Sequence, residues 1–163
     1  MTTVHATPAG GAAISFSELA GYSGLELVAG LADGSIHPPP MAETLPFTLL
    51  PPEEGKVRLL VAPEPRFCNL TNTLHGGWIM TMLDTVMSLA AQTTLSEGES
   101  CPSHETAVKF VRPIFIDSDI LYVTGEVISR GQTVITLEGR VEDAQNRLYA
   151  HGTSTCLIVS RKQ

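Results

Sequence analysis

The spacing of apolar positions changes period several times along the chain. In "SGLELVAGLADG" (23–34) they recur at helical spacing. Ser23 and Glu26 form a capping-box pair and Gly34 suits the residue after the end, so a short helix is predicted over 24–33. "HPPP" (37–40) stops a helix and forms an extended linker. "MAETLPFTLL" (41–50) reads as a first strand, weakened by Pro46. "KVRLLVA" (56–62) reads as a better one, with Val57, Leu59 and Val61 on one face. "PEPRFCNLTNT" then reads as loop.

A long helical segment is expected from about 75 to 95. Ile79, Met80, Met82, Leu83, Val86, Met87, Leu89 and Ala90 cover nearly every direction of its wheel, which predicts burial on most sides. Four strand-like runs follow, at about 103–115, 119–129, 132–143 and 147–159, with "IDSD", "RGQ" and "DAQN" as turns. In the third, Ile135, Leu137, Gly139 and Val141 share a face. In the last, Ala150, Gly152, Ser154 and Cys156 make a small-residue face that lets something large approach the sheet. The order predicts an α+β fold, one antiparallel sheet with one long helix on a face. Short loops favour meander pairing. Residues 1 to about 14 are expected to fray.

With 43% hydrophobic and 17% charged residues in 163, the composition suits one globular domain. A net charge of -7 argues against a general affinity for nucleic acid or anionic membrane, yet leaves room for a small anionic ligand. Cys68, Cys101 and Cys156 are odd in number and form no C-x-x-C pair, which points away from a disulfide scaffold or a cysteine zinc site. No signal-peptide pattern and no run of membrane-spanning length is read, so a cytoplasmic protein is expected.

Asp84 is the one ionisable side chain between Trp78 and Ala91. It lies too far in to serve as a cap, and a buried carboxylate is costly unless paired or hydrogen-bonded. Two readings stand: a functional acid, or an Asp on a narrow exposed stripe with Thr81, Thr85 and Ser88. His75-Gly76-Gly77 opens the helix. Two glycines there waste helix propensity but leave first-turn N–H groups accessible, an oxyanion site in form; a tight loop-to-helix junction would also use them. A carboxylate with an oxyanion hole suggests acyl transfer or hydrolysis. Gly76 and Asp84 are about 12 Å apart along one helix at 1.5 Å per residue. A shared substrate would therefore need Gly76 from one subunit and Asp84 from another, which predicts a homodimer.

"N-x-x-N-T-L-H-G-G" followed by Asp84, with "AVKFVRPI" and "GRVEDAQNRLYAHGTSTCLIV" later, resembles the hotdog-fold acyl-CoA thioesterases, and most closely their phenylacetyl-CoA thioesterase branch. The similarity runs over about 41–160. It implies an antiparallel sheet wrapped around one long central helix, with residues 1–40 as an N-terminal extension and 41–163 as the thioesterase domain. It implies that Asp84 is nucleophile or general base, that the Gly76 N–H polarises the thioester carbonyl, that Asn69 orients substrate or water and that Ser88 assists. His75, Gly77, Thr85, Phe110, Arg112, Pro113, Arg130 and Gly131 are the expected substrate-binding positions. The family has Gly where this chain has Asn72, and Asn is the next most tolerant residue of a left-handed backbone. The implied partners are an acyl-CoA substrate and a second copy of the chain, with dimers pairing into a tetramer.

No cofactor is needed, since the reaction is acyl transfer to water. His104 and His151 show no metal-like spacing and no metal is expected. Lys109, Arg112 and Arg130 are candidates for the phosphates of coenzyme A, or ordinary surface charges. Trp78, Met82 and Phe110 are candidates for an acyl pocket, or core. The alternatives are an acyl-CoA-binding protein without turnover and, behind it, a hydratase-type enzyme on the same fold.

Overall fold

The computed structural model describes residues 21–160; the expected fraying of 1–14 lies outside them. The elements run α1 (Gly24–Asp33), α2 (Met41–Thr44), β1 (Thr48–Leu49), β2 (Lys56–Val61), α3 (Gly76–Gln92), β3 (Glu99–Ser100), β4 (Ser103–Phe110), β5 (Leu121–Arg130), β6 (Val134–Glu142), β7 (Leu148–Leu157) and β8 (Val159–Ser160). The capping box at Ser23 is formed, and Gly34 ends α1 at φ 81°.

Three expectations need correction. Residues 41–50 do not make a strand: 41–44 turn helically after the proline run, and β1 keeps two residues. The loop before α3 contains a 3-10 turn at Pro65–Phe67. The meander holds for β5-β6-β7 only. The sheet order is β1-β2-β5-β6-β7-β4, so β4 pairs with β7 and forms the far edge. A long helix lies between β2 and β4 in sequence. It carries the chain across the sheet and leaves β4 next to the last long strand rather than the next one.

The sheet wraps α3, which contacts β2, β4, β5, β6 and β7. Leu83, Val86, Met87 and Ala90 are fully buried against Leu59, Val61, Val123, Leu137 and Cys156. Each fully buried Val, Leu or Met side chain of this set contributes about 1.5–3 kcal/mol. Close seating depends on glycines. Gly125, Gly139 and Gly152 stand opposite one another on β5, β6 and β7. A Cβ on Gly125 would lie 2.6 Å from the Val86 carbonyl oxygen, and one on Gly139 would meet Leu83 and Met87 at 3.0 Å. The N-terminal extension docks at the other end of the helix. The Gly24 N–H donates to Leu95 O at 2.9 Å, and a Cβ on Gly24 would lie 1.7 Å from Gln92 O.

The turn after β6 is held by Asp143. Its carboxylate accepts from the backbone N–H groups of Gln145 and Arg147, from Arg147 Nε at 2.6 Å and from the Tyr149 hydroxyl at 3.1 Å. Burial pushes the Asp143 pKa up. The hydrogen bonds of Arg147, Gln145 and Tyr149 outweigh it and hold the group at about 2. A depressed carboxylate stabilises the fold above its ordinary pKa near 3.8 and loses that contribution as pH falls toward 2. Asp143→Asn is therefore expected to lower stability at pH 7, with the gap to the parent protein closing between pH 4 and 2. Urea unfolding of both proteins across that range would check it; a pH-independent gap would contradict it.

Candidate active site

Three local features present the helix start. Asn72 takes φ 61°, the left-handed conformation expected of the position where the family has Gly. Asn69 closes the loop before it. Its Oδ1 accepts from the Thr71 N–H, the Thr71 hydroxyl and the Thr73 N–H, and its Nδ2 donates to Thr73 Oγ1 at 2.8 Å. His75 caps the helix, its Nδ1 accepting the Gly77 N–H at 2.9 Å. The cap fixes the imidazole as acceptor at Nδ1 and uses up the Gly77 donor. The Gly76 N–H has no hydrogen-bond partner among the described residues.

A shallow cavity of about 320 Å³ opens beside that donor, lined by Asn69, Gly76, Phe110, Arg112 and Pro113 with Ile79 behind. Phe110 lies against Gly76, its Cζ 3.1 Å from where a Cβ would stand. The structure thus gathers five of the expected positions, though they come from one loop, one helix start and the end of β4. The Arg112 guanidinium donates to Leu148 O and is exposed. Lys109 is exposed on β4.

Asp84 belongs to a second place. It is half-buried, on a half-buried stripe of α3 with Thr81, Thr85 and Ser88. The stripe is half-buried rather than exposed, because its Asp84 and Ser88 side faces β4. Asp84 Oδ1 accepts from Ser103 Oγ at 3.0 Å and from Thr106 Oγ1 at 2.9 Å. Both bonds fall on the same oxygen, so Oδ2 is the one left to meet a ligand. Ser88 reaches the carboxylate through Ser103, with the two hydroxyl oxygens 3.0 Å apart. Since Ser103 gives its single proton to Asp84, Ser88 is the donor in that pair. Thr106 in turn contacts Ser154 Oγ at 3.0 Å, and Ser154 donates to Glu105 O.

Sequence reading missed Ser103 and Thr106. They lie on an edge strand with no motif of their own, and only pairing β4 beyond β7 brings them over the helix.

Arg130 and Gly131 are not gathered with either group within the chain. Arg130 donates to Thr94 O and to Gly131 O and pairs with Glu99, tying the β5–β6 hairpin to the C-terminal end of α3. That end is about 25 Å from Gly76 at 1.5 Å per residue. Trp78 and Met82 are core, with Trp78 stacked on Phe67 at 5.7 Å. Cys68, Cys101 and Cys156 are free thiols. Among the described residues no cluster of three potential metal ligands occurs, and no helix is long and apolar enough to cross a membrane.

The comparisons with known proteins bear on family and fold. The model of the Thioesterase superfamily matches residues 71–150, from the loop just after Asn69 to the start of β7. A Mycobacterium tuberculosis protein that bears an esterase name is 32% identical over 111 residues, covering 66% of this chain and 76% of that one. The human protein named acyl-coenzyme A thioesterase 13 is 28% identical over 110 residues, covering 67% and 77%. In fold, the chain is similar to the Escherichia coli PaaI protein from the phenylacetic acid degradation operon. The TM-score is 0.72 at 18% identity, with 83% of this chain and 96% of that one covered. The helix-borne carboxylate, the glycine-opened helix and these likenesses lead to one family: the chain belongs to the thioesterase superfamily, has its hotdog fold and is a thioester hydrolase.

Proposed function

We propose that the protein hydrolyses a small or medium acyl-CoA, or an aryl-CoA, to the free acid and CoA at a site shared between two copies of the chain. The observation that carries the reading is the separation of two complementary half-sites on one helix. Gly76 offers an unpaired first-turn N–H, and Asp84 offers a carboxylate oriented through one oxygen. At about 12 Å apart they cannot serve one thioester unless a partner supplies the second half.

The thioester carbonyl oxygen accepts the Gly76 N–H at the positive end of the α3 dipole, where negative charge develops as the tetrahedral intermediate forms. Asp84 of the other subunit delivers the attacking oxygen, either its own Oδ2 or that of a water that Oδ2 deprotonates. On the water route the C–S bond breaks, the free acid forms directly and the CoA thiolate takes the proton held by Asp84; on the Oδ2 route C–S cleavage leaves the acyl group on Asp84 as an anhydride, and a water then hydrolyses it, giving the free acid, restoring the carboxylate and supplying the proton that the thiolate takes up. Ser103 and Thr106 hold the carboxylate against β4, and Ser88 supports Ser103. Asn69 keeps the loop that presents Gly76, and its second amide proton is left for substrate or water. Phe110, Arg112 and Pro113 flank the carbonyl, with Arg112 placed to meet an anionic part of the cofactor-like leaving group.

The surface supports pairing. β4 is an eight-residue edge strand with mostly exposed side chains, and such an edge calls for a cover. Leu70, Met80, Phe110, Val111 and Phe115 are exposed large apolar side chains around the same loop and strand end. The isolated bridge between Thr73 and Phe115 joins these two segments.

The test is release of free CoA from a panel of acyl- and aryl-CoA thioesters, with mass measured by analytical ultracentrifugation. Turnover by a dimer or tetramer is expected. Full activity in a monomer would overturn the shared site, and CoA-ester binding without turnover would replace hydrolysis with a carrier role.

A further inference from the structure

A second and larger cavity, of about 460 Å³, lies outside the half-sites described above. One wall is α3, through Thr85 and Leu89. The others are Leu31 at the end of α1, Pro38 and Pro39 of the proline linker, and Phe47 and Leu49 at β1. The volume falls within the range of small-molecule sites, and the wall chemistry is that of such sites, apolar with few polar groups. Residues 31–49 lie outside the 71–150 span that matches the superfamily model, so this chain's own N-terminal segment builds most of the cavity.

Its place on the helix links it to the carboxylate. Within the half-buried stripe, Asp84 and Ser88 form the row toward β4, and Thr85 and Leu89 form the row that lines the cavity. Successive residues turn by about 100° and rise 1.5 Å, so the two rows run side by side. A ligand whose carbonyl meets Asp84 has this cavity on the adjoining flank of the same helix. The segment that closes it is well anchored. Gly24 docks on the end of α3, the Ile36 N–H donates to Gly30 O at 2.9 Å, and three consecutive prolines stiffen the linker. The walls are therefore largely preformed.

We propose that residues 31–49, from the end of the N-terminal extension through β1, form the acyl-group pocket with α3 and set which acyl or aryl groups the enzyme takes. The proposal rests on the hydrolase reading above. The ligand chemistry is an uncharged, apolar acyl or aryl tail; no Asp, Glu, Lys or Arg is among the residues that line the cavity, and His37 is the one imidazole there. His37 Nδ1 lies 2.9 Å from Pro38 O. A carbonyl oxygen accepts only, so Nδ1 holds the ring proton and Nε2 of the neutral ring is the remaining acceptor.

The experiment uses two full-length variants of opposite effect. Ser35 is an exposed residue at the cavity wall, so Ser35→Trp fills the cavity without opening the core. Phe47→Ala enlarges it. Two readouts are taken for acetyl, hexanoyl, octanoyl and phenylacetyl groups: kcat/KM with the CoA thioester, and Kd by calorimetry with the non-hydrolysable CoA thioether. Free octanoic acid is titrated alongside, to separate a tail carried by CoA from a fatty acid bound alone. Ser35→Trp is expected to lower the octanoyl-to-acetyl ratio about tenfold or more in both readouts, and Phe47→Ala to move the optimum to longer tails. Thermal unfolding shows that both variants are folded. The same chain-length profile in all three proteins would overturn the pocket assignment. Octanoic acid binding that blocks no thioether would assign the cavity to a separate lipid and overturn it too. Absence of turnover with every ester defeats the hydrolase reading only, because the thioether Kd series still decides the pocket.

Discussion

Asp84→Asn is expected to lower kcat for acyl-CoA hydrolysis about 10²–10⁴-fold, the usual worth of a positioned acid or base, while KM changes much less. The substitution is informative because it keeps the shape. An Asn at this position still accepts from Ser103 and Thr106 through Oδ1, so the contact between α3 and β4 survives. What disappears is the negative charge and the basicity of Oδ2. An interaction made mainly in the transition state shows itself in this way, as a loss in kcat rather than in binding. Thr106→Val, which removes one of the two bonds to Oδ1, is expected to cost less, and again in kcat before KM, because it loosens the carboxylate without removing it. Steady-state kinetics of the three proteins on one good substrate checks the order. A kcat for Asp84→Asn equal to that of the parent would exclude Asp84 as the reacting group and would leave it a surface acid.

Gly125→Ala is expected to destabilise the fold by about 1–3 kcal/mol or more, the range for overpacking a close-packed core. The added methyl would stand 2.6 Å from Val86 O, 2.7 Å from Val86 C and 2.9 Å from Met87 N. All three are main-chain atoms in the middle of α3, so no rotamer change relieves the contact and the whole helix must lift from the sheet. Gly139→Ala is the control. Its methyl would meet Leu83 Cδ2 and Met87 Cγ at 3.0 Å, side-chain atoms that yield more readily than a backbone. Gly125→Ala should therefore unfold at distinctly lower urea concentration than Gly139→Ala. Equal midpoints would mean that α3 is not held by backbone contact at β5. Because α3 carries both Asp84 and Gly76, Gly125→Ala should also reduce activity through displacement of Asp84, and by less than Asp84→Asn does.

The features that single out Asp84 and Gly76 as candidates are local. A lone acid in an apolar helix, a His-Gly-Gly start and an Asn72 that tolerates a left-handed backbone are each decided within a few residues by propensity, capping and backbone sterics. The same holds for α1, whose box and left-handed end are written in Ser23, Glu26 and Gly34. The alternation of Ile135, Leu137, Gly139 and Val141 fixed which face of β6 is inside, because side chains alternate in a strand wherever it is placed. All four are buried.

Tertiary structure alone decided what depends on which strand lies beside which. Pairing is a contest between distant segments, and no residue of β4 records that its partner is β7. That pairing brings Ser103 and Thr106 to Asp84, and it turns Ser88 into a donor acting through Ser103 rather than on the carboxylate. The position of Arg130 at the far end of α3 follows likewise from the length of the helix and the hairpin it meets. Residues 41–50 illustrate the competition in one segment: strand-like spacing yielded to the helical turn after Pro40, and two residues kept the sheet. The cavity under the N-terminal extension was equally invisible in sequence. Its walls come from α1, the proline linker, β1 and α3, and only the docking of Gly24 on the helix end encloses them.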